Sequence, residues 1–243
     1  MKPGRIIAMW SGPRNVSTAL MYSFAQRADT AVWDEPYYAA WLKATGEPHP
    51  MAADIIAAGP ADPAAVADRI LGDPAPVHYQ KHMAHHMLAD FDLARWFDRA
   101  THAFLIRPPA QVLASYTAKY ERVSLDLIGL PQQLDLFNRA ADKLGKAPPI
   151  IRGEDIQRRP EAALKALTAA LDLDFDPAML AWPKGPKPYD GVWAKHWYDR
   201  AWASDAFAPP TSSPDAKLSP PVRAVADEAE AIYVGLETHA LQV

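Results

Sequence analysis

Four clusters in this chain carry residue types and spacings suited to group transfer. The first is WSGPRNVST at residues 10–18, wedged between the apolar run RIIAM and the helix-like ALMYSFAQR. Gly12, Pro13 and Asn15 resist regular structure, so the chain must turn sharply there. Arg14 supplies a planar, permanently charged fork suited to phosphate or sulfate oxygens. Ser17 and Thr18 add hydroxyls at the start of a helix whose first N–H groups and dipole favour an anion. Gly12, Pro13, Arg14, Asn15, Val16, Ser17 and Thr18 therefore read as an anion cradle or, more plainly, as a tight turn with a capping serine. The stretch is not the GxxxxGK[ST] phosphate loop, because Val16 stands where that motif needs lysine.

The second cluster is FLIRPPAQVLASY, which places Arg107 at a strand end and Ser115 eight residues later on the next helix. The two can converge on a second anionic group, or stand as a surface arginine and a serine on a polar face. The third is AVWDEPYY, where Pro36 biases Glu35 away from helix and leaves its side chain at a strand end. A free glutamate titrates near 4.3, so a working base needs burial beside Trp33 and Tyr37; the alternative is a solvated Asp-Glu pair before a turn. The fourth is YQKHMAHHM. Lys81 ends a strand, and His82, His85 and His86 share one face if a helix continues from it. His82 competes with Glu35 as base. The three imidazoles also suit zinc, although no fourth ligand is evident and a plain polar face explains them as well.

These residues need strand ends and helix starts to hold them, and the chain supplies them in alternation. Strands are expected at Arg5–Trp10, Thr30–Trp33, Val77–Lys81, Thr101–Arg107 and Pro149–Arg152. Helices are expected at Ser17–Arg27, Tyr37–Ala44, Ala64–Leu71, after Pro109, at Pro160–Leu171 and over 219–240, opened by Ser219 and Pro220. Such alternation predicts an α/β fold, a three-layer sandwich with a central, mostly parallel sheet. No internal repeat or linker divides the chain, so residues 1–243 read as a single domain. Residues 45–76, rich in Ala, Pro and Gly, read as a surface excursion or lid rather than core. Residues 183–218 form a long loop whose aromatics favour packing over disorder. Trp182, just before it, and Tyr189, Trp193, Trp197 and Tyr198 within it either wall an acceptor site or simply pack that loop down.

Composition narrows the partners. The 243 residues carry 25 Lys+Arg against 29 Asp+Glu, a net charge of −4 that argues against general nucleic-acid binding. With no cysteine, disulfides, thiolate metal sites and cysteine nucleophiles are excluded. The N-terminus lacks a signal-type apolar region, and no apolar run approaches the ~18 residues that span a bilayer. The expectation is a cytoplasmic protein with no membrane partner; nothing bears on a homo-oligomer.

Together the clusters resemble the sulfotransferase family, which uses 3′-phosphoadenosine 5′-phosphosulfate (PAPS) and releases PAP. The family's phosphosulfate loop reads roughly P-[KR]-S-G-T-T; here it is Pro13, Arg14, Asn15, Val16, Ser17, Thr18. Its 3′-phosphate signature, an Arg, then D-P, then a Ser eight residues on, is matched by Arg107, Pro108, Pro109 and Ser115, with Pro108 in place of Asp. IIRGEDIQRRP is similar to a later family stretch, with Glu154, Asp155 and Pro160 fitting and Gly153 replacing an aromatic. PKGPKPYDGVWAKHWY loosely matches a loop that closes over the nucleotide.

The resemblance implies a P-loop-like sulfotransferase fold and no metal. It implies sulfuryl transfer to a hydroxyl or amine of a small molecule or glycan. Arg14 and Lys81 would stabilise the sulfuryl group, Arg107 and Ser115 would hold the 3′-phosphate, and Glu35, or His82, would act as base. With no N-terminal anchor it points to a cytoplasmic, bacterial enzyme. Two other readings stay open: a P-loop-like small-molecule kinase, and a degenerate nucleotide-binding protein without turnover, motivated by Asn15, Val16, Pro108 and Gly153.

Overall fold

The computed structural model describes residues 4–210 and 218–243. The first three residues of the expected N-terminal segment and positions 211–217 of the expected long loop lie outside the described residues. Five strands, β1 (Arg5–Ser11), β2 (Thr30–Asp34), β3 (Val77–Met83), β4 (Ala100–Ile106) and β5 (Ile150–Arg152), form one sheet in the order β2-β3-β1-β4-β5. Every neighbouring pair is parallel. Helices α1 (Ser17–Phe24), α2 (Tyr38–Thr45), α3 (Ala52–Ala58) and α4 (Pro63–Gly72) precede β3, and α5 (Ala94–Phe97) precedes β4. Between β4 and β5 lie α6 (Pro109–Tyr116), α7 (Leu125–Ile128) and α8 (Leu130–Leu144). After β5 come α9 (Gly153–Arg158), α10 (Pro160–Ala170), α11 (Ala194–Trp197), α12 (Asp199–Ala203) and α13 (Pro220–Glu237).

β1 is buried from Ile6 to Ser11, as a strand covered on both faces must be. Ile7, Met9, Tyr79 and Leu105 pack with Leu20 and Met21 of α1 and Leu164 and Leu167 of α10 on one face. Ile6, Ala8, Trp10 and Phe104 pack on the other face with residues of α4, α8 and α13. Strand register then assigns each polar residue to a side. Met9 pairs with Lys81 and Trp10 with His82, so these two neighbours on β3 point to opposite faces. Asp34 pairs with Lys81 across β2 and β3, which brings the carboxylate and the ammonium together at the carboxyl ends of their strands. β1 lies between β3 and β4 while its own chain leaves toward α1, and such a switch point is where open α/β sheets bind ligands.

Three expectations change. Residues 45–76 are not only a surface excursion: Val66, Ala67 and Ile70 of α4 belong to the core, and Ile55 of α3 is buried. No helix continues from β3; the strand runs through His82 to Met83 and is followed by a single 3-10 turn, Ala84–His86. The loop after residue 183 contains α11 and α12, and Ala181 bridges Ala206.

Candidate active site

The β1–α1 corner is set by close approach and by backbone conformation. A Cβ on Gly12 would come within 2.4 Å of the Ile128 carbonyl, so only glycine fits there. Arg14 and Val16 both adopt left-handed backbone, with φ of 62° and 58°. For β-branched Val16 that conformation is strained, and such strain gathers where a loop is shaped for a ligand. No side chain caps α1, which leaves its first N–H groups without intrahelical partners. Asn15 is buried and donates to the Leu105 carbonyl, tying the loop to the end of β4.

The second anion cluster folds onto the first. Arg14 Nε donates to Ser115 Oγ at 3.0 Å, and Arg107 donates to the Arg14 carbonyl at 3.0 Å and to Gln111 Oε1 at 3.1 Å. Gln111 in turn donates to Glu154 Oε1 at 2.6 Å, so the acidic residue after β5 braces the arginine after β4. Burial, and then the charge of Arg200, push the Arg14 guanidinium below its ordinary value. Arg107 moves the same way, chiefly by burial, with Arg14 and Arg200 adding to it. Three guanidiniums around one space repel one another, and an anion relieves that repulsion.

At the far side of the same cavity stand the carboxylates. Lys81 Nζ donates to Asp34 Oδ1 at 2.7 Å, to Glu35 Oε1 at 2.6 Å and to the Tyr198 hydroxyl oxygen at 2.6 Å. These three bonds use all three ammonium protons. Lys81 is 1 % exposed and thus holds Glu35 in place; contacting a sulfuryl group would require breaking one of these bonds. Tyr198 donates to Asp34 Oδ2 at 2.8 Å, and the Gly191 amide also reaches that oxygen. Burial pushes the Glu35 carboxyl up to about 7; Lys81 opposes this and the nearby Asp34 charge adds to it. Lys81 itself is held above its ordinary value by Asp34 and Glu35, against the burial that would lower it.

The cavity, of about 700 Å³, opens at the carboxyl ends of the strands and is lined by Pro13 to Ala19, Glu35, Lys81, Arg107 and Ser115. His82 does not line it. Its ring stacks on Trp10 at 4.4 Å and on Trp96 at 5.3 Å, on the opposite side of the sheet from Lys81, and bonds Gln80 at 2.8 Å. Burial drives it well below its ordinary pKa, so it is a neutral core imidazole. His85 and His86 do line the cavity. Among the described residues, no group of three or more His, Asp or Glu side chains could hold a metal ion.

Asp34 and Arg200 were not singled out as site residues by sequence reasoning, and Tyr198 was singled out only as an aromatic wall, not for its hydroxyl. Asp34 carried a signal, since it precedes Glu35 at the strand end; the bond from the Tyr198 hydroxyl joins residues 164 positions apart, a pairing no local pattern carries. Of the aromatic candidates, Trp197 and Tyr198 line the cavity, whereas Trp182 and Tyr189 pack edge-on against Tyr22.

A family profile described as a sulfotransferase domain matches residues 4–225 of this chain. The chain belongs to the sulfotransferase domain family. The fold agrees with that membership. A sulfotransferase from Alicyclobacillus acidocaldarius superposes with a TM-score of 0.59 at 14 % identity, covering 99 % of this chain and 98 % of that one. The sulfotransferase domain of the Synechococcus PCC 7002 olefin synthase gives 0.54 at 18 % identity, covering 93 % and 94 %. A mouse sulfotransferase complexed with PAP gives 0.52 at 10 % identity, covering 98 % and 88 %. Among curated proteins, "Branched-chain-amino-acid aminotransferase-like protein 2" of Arabidopsis thaliana is 36 % identical over 211 residues, 86 % of this chain. Its companion, protein 1, is 36 % identical over 216 residues, 88 % of this chain. This chain spans only 37 % and 38 % of those two relatives. No helix among the described residues is long and apolar enough to cross a membrane.

Proposed function

We propose that this sulfotransferase-family protein transfers a sulfuryl group from PAPS to a hydroxyl or amine of a small molecule or glycan. The observation that carries the proposal is one cavity with a guanidinium cluster at one side and a buried carboxylate of raised pKa at the other. The cluster fits PAPS chemically. Arg14, Arg107, Ser115 and the uncapped start of α1 form a donor set matched to two anionic groups.

PAPS, when bound, supplies an activated sulfuryl group and leaves as PAP. Arg14 and the N–H groups of the corner neutralise charge on the transferring group. Arg107 and Ser115 hold the 3′-phosphate and separate PAPS from ATP. Lys81 donates to Glu35 at Oε1, which leaves Oε2 to receive the acceptor's proton. Lys81 acts through Glu35, and Tyr198 through Asp34 and Lys81, as positioning residues. His82, on the far face of the sheet, has no part in this reading.

Transfer of labelled sulfate from PAPS, run with and without magnesium, tests the proposal. Metal-independent transfer that is lost in Glu35→Gln supports it; phosphoryl transfer from ATP that needs magnesium would replace it with the kinase reading.

A further inference from the structure

Pro108 and Gly153, two departures from the sulfotransferase pattern, flank one side-chain relay. Pro108 is the N-cap of α6 and Pro109 its first residue, which fixes where that helix starts. The Pro108 carbonyl accepts the Gln111 amide N–H at 3.0 Å, so Gln111 sits in the first turn, four residues beyond Arg107. Gly153 opens α9. A Cβ there would lie 3.3 Å from Val16 Cγ2 and 3.6 Å from the Ile106 carbonyl oxygen, so the bare glycine lets α9 start against the β1–α1 corner. Glu154 comes next, and its Oε1 accepts from Gln111 Nε2 at 2.6 Å.

Arg107 and Gln111 are buried and line the cavity, whereas Glu154 is half-buried and stands behind them. An acid in the first turn suits any helix start, but α9 carries two and they differ. Asp155 accepts from Arg152 Nε at 2.6 Å, and Glu154 goes to the amide. That contact decides which end of the amide meets the guanidinium. A carboxylate only accepts, so it is met by the Gln111 NH2, and the amide oxygen is turned to Arg107 Nε at 3.1 Å. Reversed, the amide would aim an N–H at a group that only donates. Burial disfavours the charged form of Arg107, and the Glu154 charge opposes that effect. The relay ends at the Arg14 carbonyl, which accepts from Arg107 Nη1 at 3.0 Å, so it also fixes the guanidinium against the corner.

We propose that Glu154 is a positioning residue for the donor's 3′-phosphate: through the Gln111 amide it holds the Arg107 guanidinium in the orientation that tells a 3′-phosphorylated nucleotide from one without that group. The inference rests on the sulfotransferase reading above and deepens it, making two residues outside the ligand contacts responsible for selectivity. A planar fork bonds a phosphate well only when its plane is fixed beforehand.

The test is calorimetric titration with PAP and with ADP of wild type, Glu154→Met, Glu154→Gln, Gln111→Met and the Glu154→Met/Gln111→Met double variant, with a melting temperature for each. Glu154→Met should weaken PAP about tenfold and leave ADP within about twofold. Glu154→Gln keeps an oxygen for the Gln111 amide, so it should restore the wild-type ratio of PAP to ADP affinity although it lacks the charge. Gln111→Met should match Glu154→Met, and the double variant should be no worse than either, since the two residues act in series. A merely structural role would lower the melting temperature and weaken both nucleotides alike, so equal losses overturn the inference. A loss in Glu154→Gln as large as in Glu154→Met overturns it too, as do losses that add in the double variant. An unchanged ratio in Glu154→Met, with wild type preferring PAP, overturns it and leaves the sulfotransferase reading standing. No preference for PAP in wild type would remove that reading and this inference with it.

Discussion

Asp34→Asn should move the ionisation of Glu35 downward, the reverse of what losing a buried partner usually does. The cluster holds two carboxylates against one ammonium. Their oxygens bond the same Lys81 nitrogen at 2.7 and 2.6 Å. At a tetrahedral angle they lie about 4.3 Å apart, where two unit charges repel by about 4 kcal/mol at an effective dielectric of about 20. Spreading each charge over two oxygens reduces this to about 3 kcal/mol, and a pH unit corresponds to about 1.4 kcal/mol. Asp34 therefore contributes about two pH units to the raised Glu35 carboxyl, and its amide analogue keeps an oxygen for Lys81 and Tyr198. With Glu35 starting from about 7, the midpoint in Asp34→Asn is expected near pH 5. The assay is the pH dependence of kcat/KM for sulfuryl transfer from about pH 4 to about pH 9, whose low-pH limb reports the base in the free enzyme. The Glu35 carboxyl, followed by ¹³C NMR and assigned by its loss in Glu35→Gln, gives the same midpoint without an acceptor. A midpoint that stays near 7 or rises would refute the reasoning that Asp34 and Lys81 set the charge of Glu35.

Stability should follow the same carboxyl. Its folded pKa lies above the ordinary 4.5, so the fold retains a proton that the unfolded chain releases, and stability falls as pH rises from 4.5 to about 7. Glu35→Gln mimics the protonated form, so its melting temperature should match wild type near pH 4 and exceed it at pH 8, by the equivalent of about 3 kcal/mol; a gap of the same size at both pH values would contradict this. Arg107→Met should weaken PAP about 10- to 100-fold and ADP hardly at all, read by calorimetry, because ADP has no 3′-phosphate to lose. An equal loss for both nucleotides would move Arg107 to another part of the site. His82→Phe should leave the pH profile of transfer unchanged and lower stability by about 1–3 kcal/mol through the unpaired Gln80 oxygen; loss of the low-pH limb would restore His82 as the base.

The sheet was legible because its strands are short apolar runs bounded by turn residues, and RIIAM and THAFLIR announce themselves in any parallel sheet. The corner at Gly12–Thr18 and the Arg107–Ser115 spacing were legible too, since both are local to a strand end. What stayed hidden depends on register and on distance along the chain. His82, His85 and His86 suit a helix face by spacing, but β3 extends two residues past Lys81 and its alternation turns His82 to the other side. The Tyr198 hydroxyl meets Asp34 only because the loop after residue 183 folds back, with Asp190 anchoring it to Tyr22 and Trp202. Residues 45–76 looked like surface because alanine and proline dominate them, yet Val66 and Ile70 recur at helical spacing and are buried. Helix α8 carried a similar signal in Leu130, Leu134 and Phe137, diluted by the polar residues between them.

The central claim is that the guanidinium cluster at Arg14 and Arg107 exists to bind a nucleotide carrying a 3′-phosphate. Calorimetric titration of the metal-free protein with PAP, and separately with ADP, tests it most directly. PAP binding in the micromolar range, at least about tenfold tighter than ADP, is the expected result. Equal affinity for the two, or no affinity for PAP, would contradict the assignment of that cluster and the activity built on it.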